Sequence, residues 1–160
     1  MCRRGVGGVL GTLTILSVLS GHAALAGDGS WNKIRYQGGT VDAKVNPFDW
    51  NTTLGVSSGK IELVFAGRKR FKIEASNVVT LAHGERACRR MTAKLDISSA
   101  PGPVPLFGIV SLGKDHLVGI EFKSSDGTRG AVLIAVHKGS YRDLLQALSR
   151  LTGKPVEDAP

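Results

Sequence analysis

The sequence predicts a mostly β domain that ends in a single α-helix. Short segments of alternating apolar and polar residues recur between turn residues, which is the period of half-buried strands. Residues 140–152 instead have apolar positions at helical spacing. The chain of 160 residues has no internal repeat or low-complexity tract, which indicates one domain. We therefore expect a curled antiparallel sheet that is capped at one end by its last helix.

The first 26 residues differ in kind from the rest. Arg3 and Arg4 precede an uncharged run, and the small-residue sequence A-L-A follows at 24–26. This order is typical of a secretory signal peptide. We therefore expect residues 1–26 to be a signal peptide and 27–160 to be one exported domain, periplasmic or extracellular. The alternative is a retained leader that keeps the domain membrane-associated.

The exported domain would be basic, and one segment carries the excess. Removing Arg3 and Arg4 from the 21 basic residues leaves 19 against 13 acidic residues, a net charge of about +6. The segment 68–94 holds eight basic residues and two acidic ones. Cys2 leaves with the leader, so Cys88 has no partner for an internal disulfide, and burial as a small apolar residue is the commoner fate of such a cysteine.

Seven segments have strand-like patterns. They are 38–45, 51–56, 60–66, 69–75, 76–84, 116–123 and 130–136. Gly67 and Arg68 predict a tight turn that pairs the third and fourth strands and places Arg68, Lys69 and Arg70 at the tip. Asp126-Gly127 predicts a second hairpin, because both residues tolerate positive φ.

The remaining segments are a long connection and the closing helix. Residues 85–115 include three prolines within APGPVPLFG, which predicts a loop with one helical turn near 86–91. Ser140 and Asp143 have the spacing of a capping box, and Gly153 predicts the helix end. The apolar stripe of the helix needs a surface to cover, which the open end of the sheet provides. The apolar stripe consists of Tyr141, Leu144, Leu145, Leu148 and Leu151.

Five strands, a long connection, two strands and a helix is the element order of the pleckstrin-homology-like barrel, a seven-strand antiparallel sheet capped by one helix. The chain also resembles an uncharacterised family of exported bacterial proteins with such a domain (PH-like or GRAM-like). The resemblance spans nearly all of residues 27–160. It is carried by KIRYQGGTVDAKVNPFDWNTTL, LAHGERACRR, LFG, HLVGIEF and YRDLLQALSRLTGKPV. KLDISSAPGPV departs from the family, which usually has a more continuously apolar segment before LFG. The resemblance implies this fold and brings no catalytic residues.

Three functions follow from these observations. The superfold commonly holds an extended peptide along a sheet edge, so we expect a non-catalytic binding or scaffold module of the cell envelope. It would recognise a protein or peptide in the groove between helix 140–152 and the adjacent sheet edge. The alternative is peripheral attachment to anionic lipid through the hairpin-tip residues Arg68, Lys69 and Arg70, which Arg86, Arg89 and Arg90 would join if the fold brought them close. Least favoured is a hydrolytic enzyme that uses His83 or His116.

Other classes of function have weaker support. The histidines lack the close spacing of a metal site, and the 21 glycines form no P-loop or dinucleotide pattern. We therefore expect no catalytic residues, no metal and no cofactor. Nucleic acid is not an expected partner, because the basic segment has no interleaved aromatic residues apart from Phe71, which we assign to the core.

Overall fold

The computed structural model describes residues 28–94 and 116–157, without the side chains of 91–94. The expected signal peptide and residues 95–115 lie outside the described residues. The described strands and helices are β1 Gly29–Gly39, β2 Thr52–Ser57, β3 Lys60–Val64, β4 Arg70–Glu74, β5 Val78–His83, α1 Glu85–Lys94, β6 His116–Lys123, β7 Arg129–Val136, α2 Tyr141–Thr152 and β8 Val156–Glu157. A short 3-10 turn, Ala75–Asn77, precedes β5.

The eight described strands form one open sheet in the order β4-β3-β2-β1-β7-β6-β5-β8. Neighbours are antiparallel, except that β8 is parallel to β5. β1 is shared between two halves, because its first residues pair with β2 and its last residues pair with β7. The sheet curls strongly: the rings of Phe71 in β4 and Phe122 in β6 lie 5.5 Å apart, although four strands separate these two in the sheet order. The predicted seven strands in a closed barrel thus become eight in an open, curled sheet.

The main core fills the concave side of this sheet, and α2 covers it. Leu144 and Leu148 are fully buried there, with Tyr141, Leu145 and Leu151 packed at the margin. Their strand partners are residues at alternating positions, among them Leu54, Ile61, Leu63, Leu81, Ile120 and Ile134. The prediction that the terminal helix covers exposed interior side chains is therefore confirmed.

A second, smaller core lies on the outer face of β5, β6 and β7, where α1 packs. Its buried residues are two leucines, Leu117 and Leu133, and four alanines, Ala82, Ala87, Ala131 and Ala135. Because both faces of β6 are covered, all residues from Leu117 to Phe122 are buried, and the expected half-buried pattern is wrong for this strand. The prediction of a single helical turn near 86–91 is also wrong, since α1 spans ten residues.

The largest error in strand assignment concerns residues 38–45. The strand is β1, and it ends at Gly39, where Gly38 and Gly39 have φ values of 146° and 144°. The chain then turns away from the sheet, and the phenol of Tyr36 donates a 2.8 Å hydrogen bond to the carbonyl of Val41. The other six predicted strands are confirmed within three residues at each end.

Two of the predicted turns are found, and α2 has Ser140 at its N-cap and Gly153 at its C-cap, as predicted. Gly67 and Arg68 both have positive φ, 82° and 66°. In the second hairpin only Gly127 does, while Asp126 accepts a 2.9 Å hydrogen bond from the Thr128 amide, which holds the pKa of its carboxyl below the usual value. Gly153 ends α2 with φ of 66° and donates to the Ser149 carbonyl. The hydrogen bond of the expected capping box is absent, because the Ser140 side chain makes no capping hydrogen bond although the residue is at the N-cap.

The buried phenol of Tyr36 gives the fold a measurable dependence on alkaline pH. Burial raises the pKa of Tyr36 far above its usual value. At neutral pH, Tyr36→Phe should cost about 1 kcal/mol through the lost hydrogen bond to Val41. Above about pH 10 the unfolded wild type ionises this phenol and the folded state does not, so wild-type stability falls and the difference between the two proteins shrinks.

Urea unfolding of both proteins at pH 7 and at about pH 11 measures this effect. Tyr141→Phe is the matched control, since it removes the other tyrosine and keeps Tyr36. A difference between wild type and Tyr36→Phe that stays constant over this range would contradict the prediction.

Candidate functional site

A groove of about 750 Å³ lies between α2 and the end of β5. The helix contributes one wall, which consists of Tyr141, Arg142, Leu145, Gln146, Ser149 and Arg150. The facing wall consists of His83, Gly84 and Val156. The groove forms here because α2 buries Leu144 and Leu148 in the core, so the residues on its neighbouring face are left beside the sheet edge.

Three neighbouring rings lie at one end of the groove, where Tyr141 and His83 line it. The ring of His116 stacks on that of Tyr141, with 3.4 Å between the centroids. His83 lies beside this pair, with its ring centroid 5.4 Å from that of His116 and 5.3 Å from that of Tyr141. The two imidazoles are also hydrogen-bonded, with 3.2 Å between His83 Nε2 and His116 Nδ1. Tyr141 and His83 thus give the groove an aromatic end wall.

The helix wall is cationic at both of its ends. Arg142 Nε donates a 3.0 Å hydrogen bond to the hydroxyl of Tyr141, and its guanidinium lies 5.7 Å from the tyrosine ring. The hydrogen bond raises the pKa of Arg142 further. Arg150 lies eight residues along the helix, about 12 Å away at 1.5 Å per residue. Leu145 lies between the two arginines and provides an apolar centre.

The opposite wall is built by the end of the described chain, which returns to the sheet after α2. Val156 and Glu157 pair with Leu81 and Ala82 as the parallel strand β8. The segment is fixed at two points: Ser149 Oγ donates a 2.7 Å hydrogen bond to the Lys154 carbonyl, and Arg90 forms a 2.6 Å ion pair with Glu157. The expected groove is present, but β8 covers part of the sheet edge that we expected to be free.

The predicted lipid-binding residues lie elsewhere, on the exposed β3–β4 hairpin. Lys69 Nζ donates to the main-chain carbonyl of Asp42, and Arg70 pairs with Glu62 at 3.5 Å. Arg68 is exposed in the turn. Attachment to lipid through these three residues stays a prediction.

The arginines of α1 do not join that hairpin. Arg90 pairs with Glu157 and, at 3.9 Å, with Glu121, and Arg89 pairs with Glu85 at 2.6 Å. The helix itself packs on the outer face of β5, β6 and β7. The basic segment 68–94 is therefore divided between two parts of the surface.

The residues that an enzyme would use are dispersed, apart from the histidine pair. Within 28–94 and 116–157, no group of three or more His, Cys, Asp or Glu side chains could hold a metal ion. His137 Nδ1 accepts a 3.2 Å hydrogen bond from the Gly139 amide. Cys88 is half-buried, and burial raises the pKa of its thiol, so it is a poor nucleophile.

Comparison with known proteins adds a distant structural likeness. No family model and no curated protein matches the sequence. A chain of the solved "Spt16D Pob3N heterodimer" is similar, with a TM-score of 0.48, 12% identity and coverage of 84% of this chain. The match covers 55% of that chain, so this chain spans about half its length. In the part of the chain that the structure describes, no helix has the length and apolar character needed to cross a membrane.

Proposed function

We propose that the chain is a non-catalytic binding module with a pleckstrin-homology-like domain, and that it holds an extended peptide segment of a partner protein. The strand order supports the fold: two antiparallel groups, β1 to β4 and β5 to β7, are joined through β1, and a C-terminal helix covers the concave face. The expected signal peptide makes an envelope protein the proposed partner.

The observation that carries this proposal is the groove beside α2. It has an apolar centre at Leu145 and Val156, an aromatic end at Tyr141 and His83, and cations along its helix wall. Pockets that bind ligands combine apolar lining with a few convergent polar groups in this way. A volume of about 750 Å³ suits a short extended segment of peptide.

The structure also modifies how such a peptide would lie. β8 already pairs with Leu81 and Ala82, so a peptide strand cannot add to β5 at these residues while β8 is in place. The peptide would instead lie between α2 and β8, held by side chains more than by strand pairing. In this proposal the partner contacts the helix face that carries Tyr141, Leu145 and Ser149, which line the groove.

Selection from a random peptide library on the purified chain tests this proposal, followed by affinity measurements on the selected peptides in solution. Leu145→Ala should weaken them about fivefold to tenfold, because it removes the apolar centre of the groove. Phe48→Ala is the matched control, since Phe48 is 64% exposed in the β1–β2 loop and is not among the residues that line the groove. Thermal unfolding should show that both variants are folded.

Two results would contradict the proposal. One is a library that yields no peptide whose binding depends on Leu145. The other is peptides that are weakened by Phe48→Ala and unaffected by Leu145→Ala, because they would place recognition on the β1–β2 loop instead.

A further inference from the structure

The charge of the groove limits what kind of peptide it can hold. Arg142 and Arg150 line the groove, and none of the nine lining residues is acidic. Within the described residues neither arginine has a carboxylate partner, while Arg90 on the far side of β8 is neutralised by Glu157. An occupant with carboxylates would meet two cations and no opposing charge.

β8 contributes an apolar side chain and no charge to the groove. In β8, Val156 presents an aliphatic side chain to the groove, and the next residue, Glu157, accepts an ion pair from Arg90 at 2.6 Å. Glu157 is thus outside the groove lining and paired with Arg90, so its carboxylate does not neutralise the groove arginines.

The spacing of the lining residues sets the spacing within the peptide. Arg142 and Arg150 are about 12 Å apart along the helix. In an extended peptide, residues i, i+2 and i+4 point to the same side, and i to i+4 spans about 13 Å. Two acidic residues at i and i+4 therefore match the two arginines, and a residue at i+2 lies opposite Leu145 and Val156.

Resting on the peptide-binding function proposed above, we infer that the groove recognises partner segments of the pattern acidic, any residue, aliphatic, any residue, acidic. Arg142 and Arg150 bind the two carboxylates, and the aliphatic side chain packs between Leu145 and Val156. Tyr141 and His83 limit the peptide at one end. The pattern reads the same in both chain directions, so it holds for either orientation of the peptide.

The probe is a fluorescein-labelled peptide with the core Glu-Ser-Leu-Ser-Glu, measured by anisotropy against the full chain. Two further peptides serve as comparisons: Lys-Ser-Leu-Ser-Lys reverses the charges, and Glu-Glu-Leu-Ser-Ser keeps the composition and changes the spacing. We expect the probe to bind at least about tenfold more tightly than either, and to weaken as the salt concentration rises.

Charge reversal in the protein then identifies the contacts. Arg142→Glu and Arg150→Glu should each weaken the probe about tenfold or more. The matched control is Arg129→Glu, which makes the same change at an exposed residue outside the groove and should leave binding unchanged. Replacing one Glu of the probe with Lys gives two peptides, Lys-Ser-Leu-Ser-Glu and Glu-Ser-Leu-Ser-Lys. One of them should bind Arg150→Glu more tightly than the original probe does. A purely structural role of Arg150 would not produce this recovery.

The failures of the two proposals are distinguishable. Peptides that require Leu145 but carry no acidic residues would overturn the acidic pattern and leave peptide binding intact. Binding of anionic vesicles or inorganic phosphate that needs the arginines but not Leu145 would make the groove a simple anion site. Dimerisation that Arg142→Glu abolishes, with no binding of the probe, would assign the groove to a second copy of this chain. Each of the last two results would overturn the inference.

Discussion

Leu144→Ala is expected to lower the free energy of unfolding by about 2–5 kcal/mol. Leu144 is fully buried between α2 and the concave face of the sheet, so the substitution removes apolar contacts and leaves a cavity. Helix propensity does not contribute to the loss, because alanine favours helix at least as well as leucine. The effect therefore measures how strongly α2 is held on the sheet.

Urea unfolding followed by circular dichroism gives this value. Leu145→Ala is the matched control on the next residue of the same helix. Leu145 is only partly buried, so its truncation should cost about 1 kcal/mol, at most half of the effect at Leu144. Equal losses at the two positions would contradict the structure, because they would mean that α2 does not bury one face preferentially.

Gly39→Ala is expected to lower the free energy of unfolding by about 3 kcal/mol. Gly39 has φ of 144°, and an added methyl group would collide with the carbonyl of Ala131. Backbone strain of this kind costs about 1–3 kcal/mol. The same carbonyl accepts a 2.9 Å hydrogen bond from the amide of Thr40. This hydrogen bond would weaken if the added methyl group pushed β1 and β7 apart.

Gly59→Ala is the control that separates the cost of backbone strain from the cost of the collision with Ala131. Gly59 has φ of 80°, and an added methyl group there meets no atom within 4 Å. It should cost about 1 kcal/mol, the backbone preference alone. Thermal or urea unfolding of both variants makes the comparison, and a smaller loss at Gly39 than at Gly59 would show that β1 and β7 do not approach closely at this point.

The elements that the sequence predicts well are those whose pattern is local. The β3–β4 and β6–β7 hairpins follow from short apolar segments around Gly67 and Gly127, and α2 follows from its stripe and from Gly153. Each depends on residues that are close in the chain, so periodicity and turn chemistry are sufficient.

The elements that were missed depend on tertiary contacts. β1 buries Arg35 and Gln37, which are polar residues, because the loop after it covers that face: Trp50 lies 4.3 Å from the guanidinium of Arg35, and Gln37 donates to the Pro47 carbonyl. α1 has a strongly charged sequence, and small residues such as Ala87 are enough to pack it on the sheet. β8 has only two residues, too few for any periodic signal.

The candidate site was predicted only in outline. The groove beside the closing helix follows from the fold, but its aromatic end joins His83, His116 and Tyr141 from three separate elements. No local motif brings these rings together, because their contact depends on how β5, β6 and α2 meet. The excess of basic residues in the sequence pointed to segment 68–94 as the cationic site. The arginines that line the groove, Arg142 and Arg150, lie outside that segment.

The shared strand β1 has a consequence for the order of assembly. Residues 52–74 contain β2, β3 and β4 complete, so this meander can form from neighbouring residues early. The second edge of β1 must wait for β7, whose Val132 pairs with Gly39 from 93 positions further along the chain. Such distant pairing slows folding. Until β7 has been synthesised as far as Val136, the second edge of β1 lacks the strand with which it pairs.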